Sequence, residues 1–152
     1  MISRRSLITF IAASPVLISS LPAWARAPRF FQTNSGVAMN GYDAVAYFTM
    51  QKPVKGVAKY AFEYEGANFH FSSSENLEMF KTNPQKYAPV FGGYCAYAAS
   101  LGYRAATVPE AWTVYDGKLY LNASLRARTL WLKDVPGNIK KGNKNWPKIL
   151  DA

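Results

Sequence analysis

The feature that most constrains this chain is an alternation of aromatic residues around a two-residue turn. Tyr60, Phe62 and Tyr64 alternate with Ala61 and Glu63; after Glu65-Gly66, Phe69 and Phe71 alternate with Asn68 and His70. Successive side chains of a strand point to opposite faces, so each aromatic set shares one face. A two-residue loop at 65–66 pairs Phe62 with Phe69 and Tyr60 with Phe71. All five rings then lie together, on what must be the core face. A slip of one residue would scatter them, so the pattern checks its own register.

The remaining segments supply short elements to cover that face. Asn40-Gly41 signals a turn, and Asp43 is placed to cap the turn after it. Ser72 with Glu75 reads as a capping box opening a helix to about Lys81 that buries Leu77 and Phe80. Asn83-Pro84 ends it. Gly92-Gly93 leads into a second helix from about Tyr94 to Leu101, stopped by Gly102. Asp116-Gly117 predicts a type I′ hairpin pairing Val114 with Leu119 and Trp112 with Leu121. A helix from about Ser124 to Asp134 carries Ala127, Leu130 and Trp131 at helical spacing. Trp146, Ile149 and Leu150 make the tail too apolar to be free. The fold class is therefore α+β: a small single domain with two β-hairpins and several short helices around an aromatic core.

The N-terminus reads as a removable segment. Arg4-Arg5, the apolar stretch Leu7 to Leu21 and Ala23-Trp24-Ala25 match a twin-arginine export signal with cleavage after Ala25. Ser14, Pro15, Ser19, Ser20 and Pro22 interrupt the apolar run, which argues against a bilayer-spanning anchor. The expected organisation is a signal at 1–25, an irregular leader at 26–39 and one domain at 40–150, working in the periplasm or secreted. Loss of the signal lowers the net charge from +9 to +7. Between Lys118 and Lys148 stand eight Lys or Arg against one acid, Asp134. Such a stretch suits an acidic protein or an anionic membrane surface, or is a solvated face that aids solubility; an exported protein has little access to nucleic acid. Cys95 is the only cysteine, which excludes an internal disulfide.

Several motifs fall in a familiar succession. Gly41-Tyr42-Asp43-Ala44-Val45-Ala46-Tyr47-Phe48 comes first, then Phe71-Ser72-Ser73 with Asn76 and Phe80, then Asn83-Pro84-Gln85-Lys86-Tyr87. Gly92-Gly93-Tyr94-Cys95-Ala96, Trp112, Asp116-Gly117-Lys118-Leu119-Tyr120-Leu121-Asn122 and Asn145-Trp146-Pro147 follow. From about Asn40 to Leu150 the chain resembles the exported bacterial proteins of the YHS-domain family. The resemblance implies a small α+β domain and little about activity. In metal-handling modules of that kind the segment after the hairpin carries a Cys-x-x-x-Cys pair. Laid onto this chain, the pair falls at Ser72 and Asn76, neither of which is a soft metal ligand.

The residues able to carry chemistry are few. Cys95 lies near an expected helix start, where a thiolate is favoured, or is a small buried hydrophobe among Tyr94, Ala96, Ala98 and Ala99. His70 falls opposite the aromatic face with Ala61, Glu63, Asn68 and Ser72, as a surface strand residue. As a ligand it would need Cys95 and a methionine (Met39, Met50 or Met79) to make a copper(I) site. Tyr42, Asp43, Gly93, Tyr94 and Cys95 are the candidate ligand-binding residues; Cys95 and His70 are the candidate metal ligands. The tyrosines could line a pocket for an apolar or planar molecule. There is no nucleophile elbow, phosphate loop or H-E-x-x-H motif, so an enzyme is the less expected class. The expectation is a non-enzymatic protein binding a small ligand, or copper or another soft metal ion. The alternatives are an interaction module using the basic 118–148 face and a thiol-dependent redox accessory.

Overall fold

The computed structural model describes Pro22 and residues 26–152. The export segment read at 1–25 therefore lies outside the described residues, Pro22 apart. The aromatic hairpin forms as β1 (Val57–Tyr64) and β2 (Ala67–Phe71), with Phe62 opposite Phe69. Phe69 and Phe71 are buried, and Tyr60, Phe62 and Tyr64 pack against the same core. The expected partner of Phe71 is corrected: Val57, not Tyr60, lies opposite it, and the ladder is irregular between Val57 and Ala61. The cause is a tether just before the strand. Asp43 N–H donates to Val54 O and Gly56 N–H to Gly41 O, both at 2.8 Å, which fixes where β1 begins.

Four helices follow the chain order around this hairpin. The turn capped by Asp43 becomes α1 (Ala46–Thr49). The capping-box helix is α2 (Ser74–Thr82), but its cap is Ser73, which accepts from Asn76 N–H; Ser72 is engaged elsewhere. Asn83 ends α2 and at once caps a further turn, α3 (Pro84–Tyr87), because Pro84 suits a first helical position. Helix α4 (Ala96–Leu101) starts two residues later than expected, with Cys95 as its cap rather than inside it.

The second hairpin matches expectation residue for residue: β3 (Trp112–Tyr115) and β4 (Lys118–Leu121) pair Trp112 with Leu121 and Val114 with Leu119. Asp116 and Gly117 both have positive φ, as a type I′ turn requires. Helix α5 (Leu125–Leu132) is capped by Ser124. A last helix, α6 (Val135–Asn145), was not expected; Asp134 caps it through Gly137 N–H at 3.0 Å.

Strand β4 joins two packed clusters. Leu119 and Leu121 enter the first, with Phe30, Tyr47, Phe69, Phe71 and Phe80. Tyr120 faces the second, with Phe91, Trp131 and Ile149. Alternation along one strand thus ties the halves of the molecule together. The leader is irregular, yet it is bound in place: Phe30 is buried, Ala27 N–H donates to Leu150 O, and Phe31 N–H donates to Gly92 O.

Candidate functional site

The most heavily built polar position is Asp43. Its side chain has no exposed surface. One carboxylate oxygen accepts from Val45 N–H at 2.9 Å and Ala46 N–H at 3.2 Å. The other accepts from Ser72 N–H at 2.8 Å, the Ser72 hydroxyl at 2.7 Å and Asn76 Nδ2 at 2.8 Å. Five donors from α1, the end of β2 and α2 thus converge on one side chain. A buried carboxylate is tolerable only when hydrogen-bonded this fully. Ser72 and Asn76, onto which the resemblance lays the cysteine pair of the metal-handling modules, are drawn together here by a carboxylate.

Cys95 sits in a second polar pocket of the core. It is 2% exposed. Its thiol donates to Asn122 Oδ1 at 3.4 Å, and its sulfur accepts from Ala98 N–H at 3.4 Å. Asn122 Oδ1 also accepts from Tyr97 N–H at 3.0 Å, while the buried Asn122 Nδ2 has no partner among the described residues. Helix α4 has six residues, so the thiol faces a single capped turn rather than an extended helix dipole. His70 is half-buried on β2 opposite Ala61. Among the described residues, no three His, Cys, Asp or Glu side chains gather in a way that could hold a metal ion. Asp43, Ser72, Asn76 and Cys95 are each hydrogen-bonded within the protein, and the oxygen and amide groups of the first three do not suit a soft metal.

The other candidates also make contacts within the protein. The Tyr94 hydroxyl donates to Pro28 O at 2.8 Å. Burial raises its pKa, with Arg104 acting in the opposite direction. Gly93 offers its carbonyl to the Thr107 hydroxyl at 2.7 Å. Tyr42 is half-buried and bridges to Lys55. Tyr47, deep in the first cluster, donates to Pro109 O at 3.0 Å. Burial pushes its hydroxyl well above the ordinary tyrosine range, and Glu110 adds to the effect.

Open space occurs instead at the seam between the hairpin unit and the C-terminal helix. One cleft, of about 230 Å³, is lined by Arg29, Phe30, Glu65, Gln85, Asn143 and Trp146, among others. A second, of about 500 Å³, shares Val90 and Asn143 with it and extends along Tyr115, Lys118, Tyr120 and Ile139. The Arg29 guanidinium is 2.6 Å from Glu65 and lies over the Trp146 ring at 5.9 Å. Its placement depends on Gly92: a Cβ there would sit 1.8 Å from Arg29 O, and the residue has φ +62°. None of the five sequence-derived candidates lines either cleft. Arg29 escaped notice because it lies in the irregular leader. Asn143 escaped because its helix hides its period: α6 buries Asn138 and Gly142, which carry no hydrophobic signal. The usable sign was Asp134 followed by Pro136, a helix start.

Comparison with known proteins gives one match. The model of the YHS domain family matches residues 45–90, the segment from the Asp43-capped turn through the first hairpin, α2 and α3. Neither the curated proteins nor the solved structures provide a match to the chain.

Proposed function

From the premise that this chain is a YHS-domain protein, we propose that it is an exported, non-catalytic binding protein. Its ligand is a small planar organic molecule bearing a polar group. The observation that carries this reading is the pair of adjoining clefts sharing Val90 and Asn143. Aromatic walls with a few convergent polar groups are what small-molecule sites are made of. Trp146 offers stacking surface, and Arg29, Gln85 and Asn143 offer hydrogen bonds. Binding fits better than catalysis because the two groups best suited to react, the Asp43 carboxylate and the Cys95 thiol, are committed to internal hydrogen bonds. The same commitment favours an organic ligand over copper. The periplasmic setting rests on the Arg4-Arg5 segment.

The test is a thermal-shift screen of planar aromatic carboxylates, amines and amides, followed by tryptophan fluorescence titration of each hit. A true ligand at about 100 times its Kd stabilises the fold by about 2.7 kcal/mol. Trp146→Phe should remove most of the fluorescence response, and Asn143→Ala should weaken binding. A hit whose affinity is unchanged in both variants, or a screen without hits, rejects the cleft reading.

A further inference from the structure

We propose that the outward face of α5 docks on an anionic lipid surface. The helix is apolar on two sides. Its inward side carries Trp131, fully buried, with Ala127 and Leu130 beside it. Its outward side carries Leu125 and Leu132, which are 62% and 41% exposed. At 3.6 residues per turn these two leucines and Thr129 fall within about 60° of arc, two turns from end to end. Arg126 and Lys133, both exposed, lie along one edge of that arc. Projecting leucines edged by cations are the arrangement by which a surface helix enters the headgroup boundary of a bilayer.

Charge complementarity names the occupant. Among the described residues, none of the basic side chains from Lys118 to Lys148 forms an ion pair. The single acid of that stretch, Asp134, accepts from Gly137 N–H at the start of α6. The helix that follows adds Lys140, Lys141 and Lys144, all exposed. Eight cations against one acid leave the stretch with a positive excess. A fluid lipid surface suits it better than an acidic protein, because the leucines stand apart on a convex helix and neither seam cleft is lined by an α5 residue. A protein partner would require a groove or a continuous apolar patch.

The test is co-sedimentation with vesicles of phosphatidylcholine alone and of phosphatidylcholine mixed with phosphatidylglycerol. Each comparison is between wild type and a variant of the same chain, so residues outside α5 contribute equally. Wild type should bind the mixed vesicles and not the neutral ones, with affinity falling as salt rises. Arg126→Gln with Lys133→Gln should weaken binding about 25-fold, taking about fivefold for each charge near the surface. Leu125→Ser with Leu132→Ser should weaken it at both low and high salt. All four positions are exposed, so unchanged circular dichroism and Tm should confirm that the variants fold. Equal binding to neutral and mixed vesicles overturns the proposal, as does full retention by the serine variant. Binding to polyglutamate but not to vesicles would also overturn it, in favour of an acidic polypeptide.

Discussion

Replacing Asp43 by Asn is the sharpest probe of how this fold is held together. The change is isosteric but turns one acceptor oxygen into a donor. The best the new amide can do is aim its oxygen at Ser72 N–H, the Ser72 hydroxyl and Asn76 Nδ2. Its NH₂ then faces Val45 N–H and Ala46 N–H, two donors with no acceptor. A buried donor left unpaired costs about 1–3 kcal/mol. The three surviving bonds also lose their charge assistance, which roughly halves their strength. Together the loss is about 3–5 kcal/mol, a large share of the ~5–15 kcal/mol that stabilises a typical domain. In a domain of this size that lowers Tm by about 10–20 °C. Urea denaturation should show the midpoint falling with an unchanged slope. Amide exchange at Val45 and Ser72 should accelerate. Asp43→Ala should cost more than Asp43→Asn, and Ser72→Ala only about 1–2 kcal/mol. A loss below about 1 kcal/mol for Asp43→Asn would refute the view that the carboxylate is the crosslink.

Other outcomes follow from the same structure. Cys95, buried and hydrogen-bonded, should react with a thiol reagent at least about a hundredfold more slowly in native protein than in urea, since access requires opening of the fold; equal rates would show an accessible thiol. Burial raises the folded pKa of Tyr47 above the ordinary tyrosine value of 10.0. Its contribution is therefore full below the unfolded pKa and is lost as pH rises beyond it, at about 1.4 kcal/mol per pH unit. Tyr47→Phe should thus be less stable than wild type at neutral pH, having lost the bond to Pro109, yet decline less steeply in alkali when both are followed by urea titration. Parallel pH profiles would contradict this. Ser72→Cys combined with Asn76→Cys should create a thiolate site beside Asp43, read as a cobalt(II)–thiolate absorption band absent from wild type and from either single variant. Failure of that band would show that more than two side chains separates this chain from the metal-handling modules.

Sequence alone determined the elements whose information is local. The Phe62–Phe69 pairing, the Asp116-Gly117 hairpin with its full register, the turn closed by Asp43, the start of α5 near Ser124, and the docking of Ile149 and Leu150 were all legible, because turn chemistry and period-two or period-3.6 patterns are written in neighbouring residues. Helix α6 was not, because its inward positions are filled by Asn138 and Gly142 as well as Val135 and Ile139. Nor was the start of β1, which is set by bonds to Gly41 and Asp43 from another part of the chain. The same limit applied to chemistry. Residue type singled out Asp43 and Cys95, but only tertiary structure decided that Asp43 is bonded to Ser72 and Asn76, and Cys95 to Asn122. It also decided where open space lies, since Arg29, Glu65, Asn143 and Trp146 are far apart in sequence and meet only when α6 packs on α4 and Trp146, at its end, comes beneath Arg29. Composition fixes which groups are available, whereas a cleft is a property of how distant surfaces fail to close.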